Sequence, residues 1–180
     1  MSKTAYQRVL GPAWNELPAM TRRLHSPDPV VVFEGKADIR RTLNPLANFA
    51  ADLMGLPKSG TNVPARITVT RHDHGETLNR DYGGRVFETH QTVEKCNGQF
   101  VLKEQVGPFI LTLQLIGHSE GIDFHLQHAT LWGLPLPRWL SPAVSARERA
   151  DGDAHLFQVK SALPLIGELV SYEGRLTEIA

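Results

Sequence analysis

FILTLQLI (109–116), GHSEG (117–121) and IDFHLQHAT (122–130) are the stretch that decides the fold. Phe109, Leu111, Leu113 and Leu115 alternate with Ile110, Thr112, Gln114 and Ile116, a period of two that builds a strand with one apolar face. A glycine-bounded turn follows. Ile122, Phe124, Leu126, His128 and Thr130 then alternate with Asp123, His125, Gln127 and Ala129. Two such strands joined by a short turn make an antiparallel hairpin.

The pattern extends both ways. Upstream, strands are expected from Arg66 to the turn at His72-Asp73-His74-Gly75, from Thr77 to Tyr82, from Arg85 to Val93 and from Phe100 to Val106. Gly83-Gly84 and Asn97-Gly98 supply the positive φ of two-residue hairpin turns. Downstream, strands are expected near Val144–Arg149, Leu156–Leu163 and Leu169–Leu176, and VVVF (30–33) is a short one near the start. No helical crossover separates them, so they form a meander rather than a parallel sheet.

The first third reads mainly as helix. Tyr6, Val9, Leu10, Ala13, Trp14 and Leu17 fall on one helical face, which Gly11-Pro12 interrupts. A piece from Pro18 to Leu24 follows. Asn44 and Pro45 start a further helix that Gly55 and Pro57 end; its expected buried stripe is Leu46, Phe49, Ala50, Leu53 and Met54, with Ile39 and Leu43 in a preceding helical turn. The expected fold is α+β: a strongly curved antiparallel meander or incomplete barrel of eight or nine strands, with the N-terminal helices packed on it. Residues 1–180 form a single domain, 1–57 as a mainly helical cover and 66–177 as the sheet.

Composition narrows the function classes. Nineteen basic residues balance nineteen acidic ones in 180, which argues against a general nucleic-acid binder and against electrostatic docking to an anionic membrane. One cysteine, Cys96, permits no internal disulfide and fits a reducing, cytoplasmic setting. The first twenty residues lack the apolar run of a signal peptide, and no membrane insertion is expected. G-x-S-x-G, P-loop and H-E-x-x-H motifs are absent, and no cofactor or metal is expected. His72-Asp73-His74 carries metal-ligand chemistry but sits in a turn, where ring directions are loose.

Arg80, Asp81, Tyr82, Gly83 and Gly84 followed by Phe87, with Glu104 ahead of Gly107-Pro108, resemble a bacterial family known as domain of unknown function 4166. Gly133-Leu134-Pro135-Leu136-Pro137 with Leu140 and Pro142, and Leu163-Pro164-Leu165 with Gly167, Tyr172 and Gly174, extend the resemblance from about Tyr6 to Leu176. Leu78 and Arg175 stand where the family tends to have Trp. Members occur alone or fused to saccharopine-dehydrogenase-like domains, so the resemblance implies a possible oxidoreductase partner. It carries over neither a dinucleotide site nor catalytic residues.

The candidate ligand-binding residues are Arg80, Tyr82, Glu104, His128, Trp132 and Trp139. Arg80 and Glu104 either pair across neighbouring strands, which buried charges require, or hold a ligand carboxylate by the guanidinium fork. His128 follows the inward row Ile122, Phe124 and Leu126, as a core residue or a general base. Trp132 and Trp139 bracket the stiff connection WGLPLPRWL (132–140), a lid, a partner surface or a loop on its own core. Three functions follow: binding a small apolar or amphipathic ligand on the concave sheet, docking a separate oxidoreductase through Trp132 and Trp139, or catalysis by His128 with Glu104.

Overall fold

The computed structural model describes residues 3–26, 28–96 and 98–179; Pro27 and Asn97, both expected in turns, lie outside the described residues. β1 (Val30–Arg41) pairs with β2 (Gly60–His72), and antiparallel pairing continues through β3 (Gly75–Tyr82), β4 (Arg85–Cys96), β5 (Gln99–Val106), β6 (Phe109–His118) and β7 (Gly121–Leu131). β7 then pairs along its first half with β9 (Ala143–Asp151), and along its last residues with the two-residue β8 (Leu134–Pro135). β10 (Ala154–Leu163) and β11 (Gly167–Glu178) complete the sheet.

The sheet closes. The second edge of β1 takes β11, from Phe33↔Glu178 to Arg41↔Val170. The result is a ten-stranded up-and-down barrel with β8 as one extra strand, where an incomplete barrel of eight or nine strands was expected. The cause is β1. Its apolar start is short, but the strand runs on through the polar Glu34-Gly35-Lys36, inside the stretch expected to be helical cover. It is thereby long enough to pair on both edges, which removes the open edges that a curved sheet would leave.

α1 (Ala5–Leu10), a 3-10 segment (Gly11–Glu16) and α2 (Ala19–Leu24) plug one end of the barrel. Thr4 and Gln7 form a reciprocal capping box on α1. Tyr6, Leu10, Leu17 and Leu24 are buried, and Arg23 fastens α2 to the end of β11 by two hydrogen bonds from Nε to Glu178, 2.9 and 2.8 Å. No helix among the described residues is long and apolar enough to cross a membrane.

α3 (Pro45–Leu53) crosses the opposite end, capped by Asn44 Oδ1 on the Leu46 and Ala47 amides. Its orientation turns three residues of the expected stripe outward, while Ala50 and Met54 stay half-buried against the core. Ala47 and Ala51 are buried, while Leu46, Phe49 and Leu53 are 59%, 66% and 74% exposed. Arg41 donates to the Pro57 carbonyl and, with Arg85, pairs with Asp52, tying the helix down on its small-residue side. The expected turn at Ile39 and Leu43 is also absent: Ile39 is a buried position of β1, and Leu43 is almost fully exposed.

Candidate functional site

The barrel interior holds charge. The two-residue turn Gly83-Gly84, both with positive φ, sets the β3–β4 register so that Arg80 stands opposite Phe87. Asp81 Oδ1 accepts from the Gly84 amide at 2.7 Å and braces the turn. The Arg80 guanidinium therefore lies over the Phe87 ring, 5.2 Å from its centroid. Its Nη1 donates to Thr89 Oγ1 at 2.6 Å and its Nη2 to Glu104 Oε1 at 3.1 Å, while the Thr89 hydroxyl donates to the same Glu104 oxygen at 2.7 Å. The expected pair thus exists, with a correction: Arg80 and Glu104 are not on neighbouring strands. β4 runs between them, and Thr89 bridges the gap.

The two side chains keep 15% and 14% of their surface. Both line an interior cavity of about 130 Å³. Burial lowers the tendency of Arg80 to stay protonated, but the Glu104 carboxylate leads the charges that outweigh it, so its pKa lies above the ordinary value and the guanidinium remains charged. Tyr82, Phe87, Phe157 and Tyr172 form an aromatic wall beside it, with Tyr82 at 5.6 Å from Tyr172 and 6.3 Å from Phe157 by ring centroids. Burial pushes the Tyr172 phenol up to about 12 and Tyr82 well above its usual range. Both phenols are therefore neutral donors. Among the described residues the Tyr82 hydroxyl meets no hydrogen-bond partner.

A second polar group lies toward the plug. Glu148 of β9 reaches the cavity and bonds His25 Nε2 at 2.8 Å; Tyr6 stacks on His25, centroids 3.5 Å apart. Burial raises the Glu148 pKa, yet His25, His155 and Arg80 together bring it below the usual carboxylate range. His155 lines the cavity from β10, and burial, with His25 adding to it, holds its pKa below that of an ordinary imidazole despite Glu148. Gln91, 2% exposed, completes this polar group.

His128 is elsewhere. The β6–β7 register slips between Thr112↔His128 and Leu113↔Leu126, so Gln127 is an extra residue on β7. Such a bulge reverses which residues face inward. Ile122 and Phe124 point to the core, but past the bulge Ala129 takes that side and His128 is exposed. The expectation of an inward His128 beside Glu104 is overturned on geometry. Trp132 and Trp139 are 78% and 68% exposed, outside the cavity. At the end of β2, where a turn was expected, His72 Nε2 contacts Thr77 Oγ1 at 2.9 Å on the surface. Among the described residues no group of three or more His, Cys, Asp or Glu is arranged to hold a metal ion.

Tyr82, Arg80 and Glu104 were legible in the sequence as inward charge and aromatics. Thr89, Gln91, Glu148 and His155 were not, although the signal was present: each continues a period-two row that starts from an apolar residue, Phe87 on β4, Val144 on β9 and Phe157 on β10. Glu104 and Glu148 line the cavity, whereas Glu88 and Glu173 are exposed.

A closed up-and-down barrel with a plugged end and a largely apolar lumen holding a few buried polar groups is the class of protein these features define. The chain belongs to the domain of unknown function family DUF4166, whose model matches residues 17–176, nearly its whole length. Comparison with curated proteins and with solved structures finds no match.

Proposed function

We propose that the barrel binds a small apolar or amphipathic molecule in its lumen, with the polar end at Arg80. The observation that supports this most is the Arg80–Glu104 pair facing a cavity whose other walls are largely apolar and aromatic. Binding pockets combine such walls with a few convergent polar groups. Two guanidinium nitrogens are engaged by Thr89 and Glu104, and the unpartnered Tyr82 hydroxyl adds a neutral donor, so the complementary group is a hydrogen-bond acceptor such as a carboxylate or carbonyl. A cavity of about 130 Å³ is near the ~150 Å³ of an engineered cavity that takes benzene.

Native mass spectrometry of freshly purified protein, followed by solvent extraction, tests the reading. A stoichiometric small molecule that is lost in Arg80→Met, while the fold persists, is the expected result. A clean apo mass and no uptake from a mixed lipid and metabolite extract would sink it.

A further inference from the structure

The two ends of the barrel differ in chemistry. At the plugged end, the β2–β3, β6–β7 and β9–β10 turns carry the carboxylates of Asp73, Glu120 and Asp153. The connections at the opposite end, residues 42–59, 83–84, 107–108, 132–142 and 164–166, contain one acidic residue, Asp52, and it is held by Arg41 and Arg85. Lys58 and Arg138 add positive charge on this rim. The same connections present the large apolar side chains: Leu46, Phe49 and Leu53 on α3, Trp132 and Trp139 beyond β7, and Leu165 at 95% exposure between β10 and β11.

We propose that this end docks on an anionic lipid bilayer. Three observations favour a lipid surface as the occupant. α3 hides its alanines and shows its leucines and phenylalanine, the reverse of a helix whose apolar face belongs to the core. The apolar tips come from three separate connections around one end, with two tryptophans flanking Arg138, the residue types that settle at the headgroup level. The rim has excess positive charge, whereas the plugged end mixes acidic turns with the basic Lys3, Arg8, Arg22 and Arg23 of the plug, so a negative surface draws the rim in preference. The zero net charge of the whole chain conceals this polarity. The cavity wall reaches the same end through Met54, Leu56 and Pro142, so docking sets the lumen against the membrane.

The test is flotation of the full chain with phosphatidylcholine vesicles, with and without phosphatidylglycerol. In Trp14→Phe protein, the two remaining tryptophans then report burial by a blue shift and by quenching from brominated lipid. The expected result is binding to the anionic vesicles that weakens with salt and falls about tenfold in Trp132→Ser/Trp139→Ser and in Phe49→Ser/Leu53→Ser, with unfolding temperatures unchanged. No flotation with anionic vesicles overturns the proposal, as does flotation that these substitutions leave intact. A dimer in solution that the same substitutions dissociate also overturns it, because a second copy then covers the rim, and so does a soluble protein partner that protects both tryptophans. Vesicle binding is measured without added small molecules and ligand uptake without vesicles, so this proposal and the lumen reading fail separately.

Discussion

Tyr6 lies flat on His25, ring centroids 3.5 Å apart and planes 17° from parallel, and this stack joins the N-terminal plug to Glu148 on the barrel wall. Tyr6 is 1% exposed and also meets Phe124 edge-on at 6.3 Å. Truncating so large a buried side chain typically costs about 3–5 kcal/mol. Tyr6→Ala is expected to lose about that much by urea denaturation, with hydrogen exchange accelerated first in α1.

His155 makes the barrel acid-sensitive. Its folded pKa is lowered, chiefly by burial, so below about pH 6.5 the unfolded chain takes up a proton that the folded one resists. Stability is thus present above that pH and falls as pH drops toward the folded pKa. Glu148, whose folded pKa is also lowered, adds a second loss only below about pH 4.3. In His155→Gln the slope of stability against pH between about 6.5 and 5 should flatten, and the lower window should shrink, because His155 is one of the groups that lower the Glu148 pKa. An unaltered slope would refute the assignment.

Glu76 acts in the opposite sense. Burial raises its pKa against the pull of His25, the Ala5 amide and Arg71. The folded state therefore binds the extra proton, and stability declines as pH rises above about 4.3. Glu76→Gln should be more stable than the parent at neutral pH and equal to it in strong acid, as measured by thermal unfolding across pH.

Gly174 lets the Phe157 ring lie across β11. A Cβ at that position would stand 2.5 Å from Phe157 Cζ and 2.7 Å from the Lys36 carbonyl oxygen. The ring end can give way, but the backbone cannot. Gly174→Ala is expected to cost about 2–3 kcal/mol in the manner of an overpacked core. Adding Phe157→Leu should recover part of the loss and leave the part due to Lys36.

α3 supplies an inverted expectation for hydrophobic substitutions. Ala51→Leu, on the buried face, should cost about 1–3 kcal/mol, whereas Phe49→Ser, on the exposed one, should stay within about 0.5 kcal/mol. Chemical denaturation of both variants decides it. A large loss for Phe49→Ser would place that ring in the core.

Alternation in 109–116 and 122–130, the glycine turns and the lack of crossovers determined the antiparallel meander, because period and turn chemistry are local properties of the chain. The same local rule placed Arg80 with Tyr82 and Glu104 with Leu102. Periodicity fixes which residues share a face only while the register is unbroken. The bulge at Gln127, visible only in the pairing with β6, turned His128 outward. Closure depended on β11 reaching the far edge of β1, a contact between residues about 140 positions apart that no local pattern encodes. The face that α3 buries was decided likewise. Helical spacing identified its apolar stripe, but the tight crossing over the barrel end, clamped by Arg41 and Arg85 on Asp52, admitted only alanines there and left Leu46, Phe49 and Leu53 outside.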